Sequence, residues 1–130
     1  MSLRVAWKVK PFFKDERGEM SHLLKDKQKI NGALLITCKK GSIRANHYHK
    51  KDTHYSYVLK GSMEYVYKDL SNKDSKKKSV IVKEGEIVET PPMVMHAMKF
   101  LEDSIFIALT TEERDRGRYE KDTVRIQLIS

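Results

Sequence analysis

The sequence is poor in the residues that mark several protein classes. It holds one cysteine, three prolines and six glycines in 130 residues, which excludes a disulfide scaffold, a collagen-like repeat and a low-complexity chain. No run of about 18 apolar residues exists, so no membrane-spanning helix is expected. Met1 to Lys10 carries Arg4, Lys8 and Lys10 with no apolar block behind them, so no signal peptide is expected either. The lone Cys38 has no partner for an internal disulfide and sits in the apolar run Ala33 to Cys38. There it acts as a small hydrophobe, and a reducing cytoplasm is the expected location. Apolar residues make up 39% and charged residues 34%, enough to bury one core, so a single domain over residues 1–130 is expected.

Acidic residues are also in the minority, at 18 against 26 basic, for a net charge of +8. Part of the excess falls in one segment, Lys73, Lys76, Lys77 and Lys78, which reads as a solvated loop. The basic residues do not interleave with exposed aromatics, so no nucleic-acid partner is expected.

Extended segments dominate. Val5–Lys10, Gly32–Thr37, His54–Leu59, Met63–Tyr67, Ser79–Val82, Ile87–Glu89, Met95–Phe100, Ile105–Leu109 and Thr123–Ile129 are rich in β-branched, aromatic or alternating residues, and turn formers punctuate them. Gly61 reads as a hairpin turn. The spacing predicts a small all-β barrel or sandwich, with a core over about residues 32–110 and flanking strands over 3–13 and 123–129. Thr111–Tyr119 is charged almost throughout, lacks an apolar stripe and is read as a loop.

Three of the five histidines fall within eight residues, at His47, His49 and His54. Residues two apart in a strand share a face, so His47 and His49 present both imidazoles to one side, and an antiparallel return brings His54 beside them. A metal could bind there. His22 has no spacing relation to the others and reads as ordinary.

With these spacings the sequence resembles the cupin superfamily. Gly41, five residues, His47, Tyr48, His49, four residues, His54, six residues and Gly61 reproduce its first motif, with His54 where the family has glutamate. Gly85, five residues, Pro91, Pro92, Met93, two residues and His96 reproduce its second, with Met93 in place of glycine and Phe100 in place of asparagine. Chance placement of histidine at the three family positions is on the order of one in ten thousand per register. The resemblance implies a double-stranded β-helix, the cupin jelly roll, with His47, His49 and His96 as metal ligands and His54 in the slot of the missing carboxylate. Loss of that carboxylate favours Zn, Fe, Ni or Cu over a harder ion.

Two shorter stretches point to sugar-nucleotide chemistry. Asp15-Glu16-Arg17-Gly18 resembles the Asp-x-Arg-Gly opening of dTDP-4-dehydrorhamnose 3,5-epimerases. Arg44-Ala45-Asn46-His47-Tyr48-His49 is similar to the Arg-Gly-Asn-His-Tyr-His stretch of capsular-polysaccharide sugar reductases and to the Arg-Gly-x-His-x-His stretch of nucleotide-sugar 3,4-ketoisomerases, with Ala45 replacing the glycine. A cupin that binds a transition metal through His47, His49, His54 and His96 and acts on or recognises a small polar metabolite, chiefly a nucleotide-linked sugar, is therefore expected. The alternatives are a non-catalytic ligand-sensing cupin and a metal-dependent dioxygenase.

Epimerase or isomerase chemistry needs a base α to a carbonyl and an acid to return the proton. His47 or His49 suits the first role, and a tyrosine such as Tyr57 or Tyr65 the second. Arg44 and Tyr67 are candidate substrate contacts, Arg44 through its bidentate fork. A nitrogen that ligates a metal cannot also accept a proton, so the two roles compete for the same imidazoles. Met93, Met95, Met98 and Phe100 surround His96 and read as barrel core. A homodimer is expected, with the terminal strand 123–129 covering an otherwise open edge.

Overall fold

The computed structural model describes residues 5–24, 29–113 and 116–130. Two five-stranded antiparallel sheets face one another. The first runs, in spatial order, β1 (Ala6–Lys8), β9 (Glu86–Thr90), β6 (His54–Lys60), β11 (Ser104–Thr110) and β4 (Gly32–Cys38). The second runs β12 (Thr123–Arg125), β5 (Ile43–His49), β10 (Val94–Phe100), β7 (Ser62–Asp69) and β8 (Lys78–Lys83). This is the expected all-β jelly roll.

Alternation builds the core. Every second residue of β11, Ser104, Phe106, Ala108 and Thr110, is buried, while Ile105, Ile107 and Leu109 are half-buried on the outer face. Val58, Met63, Tyr65, Val82, Val88, Met98, Phe100 and Phe106 fill the space between the sheets, with Cys38 among them. Each fully buried side chain of this size contributes about 1.5–3 kcal/mol relative to exposure.

Gly61 alone separates β6 from β7, which lie in opposite sheets, so the turn read as a hairpin is instead a crossover between the sheets. Its φ is 93°, and a Cβ there would lie 2.8 Å from the Asp103 carbonyl oxygen, so only glycine makes this turn without strain.

The structure departs from the sequence reading in four further places. The expected flanking strand over 3–13 begins on residues outside the described set and is split into β1 and the start of β2. β2 (Pro11–Asp15) and β3 (Gly18–Ser21) form a separate two-stranded hairpin, in which Asp15 accepts hydrogen bonds from Arg17 N at 2.9 Å and Arg17 Nη2 at 2.6 Å. Arg116–Asp122 is helix α1, not loop. It has no apolar stripe, and its last residue ties it to the body of the protein through the Asp122 carbonyl, which accepts Lys50 N at 3.0 Å. The expected terminal strand stops at Arg125, because beyond it the side chain of Asn46 replaces the ladder as hydrogen-bond partner.

Candidate functional site

The histidines converge where β5 ends, β6 begins and β10 crosses. His47 and His96 are directly opposite in the β5–β10 ladder, with ring centroids 4.7 Å apart. His49 follows His47 on the same face, 4.5 Å away between centroids. His54 opens β6 in the facing sheet and lies 4.4 Å from His49. All four are buried, His96 at 1% exposure and His49 at 2%.

The backbone that sets this geometry is unusual. Between His96 and Ala97 the β5–β10 register shifts by one residue, so that Ala45 and His47 are paired and Asn46 is extra. Ala45 and Asn46 take left-handed φ values of 71° and 55°. Such a bulge re-aims the next side chain, here His47. Met93 is likewise left-handed, at φ 66°, and its amide donates to the His49 carbonyl at 2.8 Å. Both positions where the chain replaces a motif glycine, Ala45 and Met93, therefore keep the backbone that glycine adopts easily.

Hydrogen bonds fix the imidazole tautomers. His96 Nδ1 donates to the Val94 carbonyl at 3.0 Å, which leaves Nε2 with the lone pair. Thr123 Oγ1 gives its proton to the Tyr119 carbonyl at 2.5 Å and stands 3.2 Å from His49 Nδ1. It can only accept there, so His49 also carries its lone pair on Nε2. His54 Nε2 lies 2.6 Å from Asp52 Oδ2, and a carboxylate as partner makes that nitrogen the donor. His47 Nδ1 is a buried atom with no hydrogen-bond partner among the described residues.

One nitrogen from each of His47, His49 and His96 lies within 4.8 Å of the others, close enough to share one ion. Three neutral imidazoles with outward bonds orienting two of them form a donor set that suits Zn, Fe, Ni or Cu. The orphaned His47 Nδ1 fits the same group. His54, expected as a fourth ligand, does not join this set. It groups instead with Asp52 and His49.

Burial and the surrounding histidines also make protonation of this cluster unfavourable. Burial first, and then the charges His96, His49, His54 and Arg125 would carry, push His47 down to about 2. For Asp52, burial acts to raise the pKa, but the hydrogen bond and charge of His54 and the amide of Glu112 outweigh it and hold it below the usual range.

The remaining expected site residues divide. Tyr67 faces His96 in the β7–β10 ladder and is half-buried, stacked 5.6 Å from Tyr65. Tyr65 itself is fully buried in the core, its hydroxyl 2.6 Å from Thr90 Oγ1, and burial raises its pKa. Expected as an acid, it is instead a core residue behind His96, at a centroid distance of 6.1 Å. Tyr57 lies on the outer face of its sheet, paired with Ile107 and Ile87 and directed away from the histidines, as alternation from His54 requires. Arg44, expected as a substrate contact, donates to Cys38 Sγ at 3.2 Å and to the Thr37 carbonyl at 3.0 Å. It lines a cleft of about 590 Å³ beside Ser104, at the end of β11 opposite Thr110 and His54. Met98 and Phe100 belong to the core as expected, and His22 stacks on Phe12 of the hairpin.

Sequence reasoning missed Asp52, Tyr119, Asp122 and Thr123. Tyr119 of α1 places its ring 5.5 Å from His49 and 6.2 Å from His47. Asp122 accepts the Lys51 and Asp52 amides at 2.8 and 3.1 Å and so shapes the loop between His49 and His54. Only Asp52 had a signal in the sequence, a carboxylate two residues before a clustered histidine.

Comparison with known proteins extends this picture. A family model described as the polysaccharide biosynthesis C-terminal domain matches residues 13–124. Among solved structures, a dTDP-4-dehydrorhamnose 3,5-epimerase from Sulfolobus tokodaii is similar with TM-score 0.72 and 22% identity, over 89% of this chain and 73% of that one. A 3,4-ketoisomerase double mutant from Thermoanaerobacterium thermosaccharolyticum, in complex with TDP, gives TM-score 0.71 and 25% identity over 95% and 89%. An epimerase from Mycobacterium tuberculosis gives 0.75 and 18% over 97% and 70%. The shared fold is the cupin-type jelly roll of these enzymes. No curated protein matches the chain.

Proposed function

The chain belongs to the polysaccharide biosynthesis C-terminal domain family, and from that premise we propose that it binds a nucleotide-linked keto-sugar at the histidine end of the barrel and moves a proton on the carbon next to the carbonyl, as an isomerase or epimerase. The observation that carries this reading is the buried cluster of imidazoles with fixed tautomers at His49, His54 and His96. Abstraction of an α-proton needs an oriented lone pair in a site that excludes water, and this cluster supplies both. Likeness to a 3,4-ketoisomerase in complex with TDP supports the substrate class.

His47, His49 and His96 would hold a divalent transition metal. When bound, such an ion supplies a positive centre that polarises a carbonyl oxygen. The chain's own residues do the rest. Val94 and Thr123 keep two of the three rings in register through their Nδ1 atoms. Tyr67 and Tyr119 flank the cluster and present aromatic surface to a sugar ring. Lys50, Lys51, Arg118 and Lys121 line an adjoining cleft of about 440 Å³ together with Glu112, Glu113 and Asp122.

The test is incubation with TDP-4-keto-6-deoxyglucose in deuterium oxide, followed by proton NMR of the sugar. Deuterium at a carbon adjacent to the carbonyl is expected. Calorimetric binding of TDP without exchange would favour a sensing role, and neither binding nor exchange would overturn the proposal.

A further inference from the structure

We infer that the barrel carries a second binding site, at the mouth opposite the histidines, and that this site takes a phosphate monoester of small-molecule size. The site does not depend on the keto-sugar reading and stands whichever reaction the histidine cluster performs. The two mouths are well separated. His54 opens the seven-residue strand β6 and Lys60 ends it, a span of about 20 Å at the rise of an extended strand.

Charge distinguishes this mouth. The cleft of about 590 Å³ brings Lys39, Arg44 and Lys60 together against one carboxylate, Asp103, three positive charges less one negative, or +2. None of the three cations makes an ion pair among the described residues, and Asp103 Oδ1 already accepts the Lys40 amide at 2.8 Å. The other clefts are closer to balance or acidic: beside the histidines four cations face three carboxylates, and beside Gly61 one lysine faces two. A phosphate monoester carries about −1.5 to −2 at neutral pH and so complements the excess here.

Arg44 is held in place before any anion arrives. Its Nε donates to Cys38 Sγ at 3.2 Å and its Nη2 to the Thr37 carbonyl at 3.0 Å, which fixes the guanidinium and leaves Nη1 without a partner among the described residues. A fixed planar fork binds phosphate with less loss of side-chain freedom than a mobile one. The walls are fixed as well. The turn that follows Lys60 packs so closely that a Cβ on Gly61 would meet Ser104 Oγ at 2.2 Å. The loop bearing Lys39 is tied to β10, with Gly41 N donating to the Phe100 carbonyl at 2.7 Å and Phe100 N to the Ser42 carbonyl at 3.0 Å.

Size and lining select an organic phosphate over the bare ion. The volume falls within the range of about 300–1,000 Å³ usual for small-molecule sites, and Ile105 and the Cys38 thiol offer apolar contact to the body of an ester.

The experiment titrates phenyl phosphate into the intact chain at about 0.15 M sodium chloride, where loose surface attraction is screened, and follows ¹H–¹⁵N spectra. The Arg44 Nε–H signal, assigned by its loss in Arg44→Gln, is expected to shift saturably with a midpoint of roughly 1 mM or below, while the His96 Nδ1–H signal stays in place. Lys39→Gln and Lys60→Gln, both at exposed positions, are each expected to weaken binding about fivefold, and Asp103→Asn to tighten it about fivefold, the effect of one charge roughly 4 Å away in water. Inorganic phosphate, which lacks the apolar body, is expected to bind about tenfold more weakly than the ester. A shift at Arg44 that does not saturate, or a midpoint that none of the three charge variants moves, would overturn the site. A His96 shift with the same midpoint would place the ester at the histidine mouth instead, and inorganic phosphate binding as tightly as the ester would overturn the assigned ligand class.

Discussion

Asn46 grips Ile129 with both ends of its side-chain amide: Nδ2 donates to the Ile129 carbonyl at 3.0 Å, and Oδ1 accepts the Ile129 amide at 3.1 Å. The same oxygen accepts Leu128 N at 3.0 Å, and the Asn46 carbonyl accepts Ile126 N at 2.9 Å. Asn46 is the extra residue of the bulge that aims His47, so the tail beyond β12 and the histidine cluster share one fixing point. Asn46→Ala is expected to cost about 2–3 kcal/mol, from three side-chain hydrogen bonds at about 1 kcal/mol each. Urea unfolding checks this, and a loss below about 0.5 kcal/mol would mean the tail is held by something else.

Ala45 and Met93 occupy left-handed backbone where the cupin motifs and their sugar-nucleotide relatives have glycine. Left-handed φ costs a residue with a Cβ on the order of 1–2 kcal/mol, partly offset by the greater flexibility of unfolded glycine. Ala45→Gly is therefore expected to stabilise by about 0.5–1 kcal/mol, read as a higher denaturation midpoint at unchanged m-value. Met93→Gly is expected to gain less, because it also removes a partly packed side chain. Destabilisation by Ala45→Gly would show that its methyl packs more than its backbone strains.

Stability of the metal-free protein should fall with acidification in a window set by His47. Its folded pKa of about 2 lies below the unfolded value of about 6.5. Above pH 6.5 the group is neutral in both states and contributes no slope. Below it the unfolded chain binds a proton that the folded chain refuses, so stability drops by up to ~1.4 kcal/mol per pH unit. Asp52, also depressed, acts lower: its contribution is full above about pH 3.9 and is lost as pH falls through the folded value. Urea midpoints at pH 7, 6 and 5 for parent and His47→Asn provide the check. An identical slope in both would refute the assignment to His47.

Thr123→Val keeps the shape of the side chain but removes the acceptor behind His49 Nδ1. Loss of such an outer partner typically weakens metal affinity by about 10–100-fold. Competition with a chromophoric zinc chelator measures the change, and affinity within twofold of the parent would argue that His49 is oriented without Thr123.

How far the sequence anticipated the site depends on what each signal measures. His47, His49 and His96 were legible because strand alternation and motif spacing both report which residues share a face. Alternation also turns Tyr57 outward, but it says nothing about depth. Tyr65 and Tyr67 share the inner face, yet Tyr65 lies fully enclosed against Thr90 while Tyr67, opposite His96 in the ladder, stays half-buried. The Asp52 pairing depends on how a four-residue loop folds back under hydrogen bonds from residues 111–112 and 122, which no local pattern encodes. Helix α1 was illegible for a related reason, since its order comes from Asp122 and Tyr119 meeting the loop and the histidines rather than from an apolar stripe of its own.

The cluster is closed by contacts far apart along the chain. Thr123 meets His49 across 74 residues and Asn46 meets Ile129 across 83. Hairpins such as β2–β3, joined by the two residues Glu16 and Arg17, close almost no loop and can form early in refolding. The histidine site must wait for the two most distant segments to meet, and closing such loops carries an entropy cost that grows with their length. Acquisition of metal or substrate affinity therefore reports the last stage of folding, and a chain caught before that stage has most of its strands but no site.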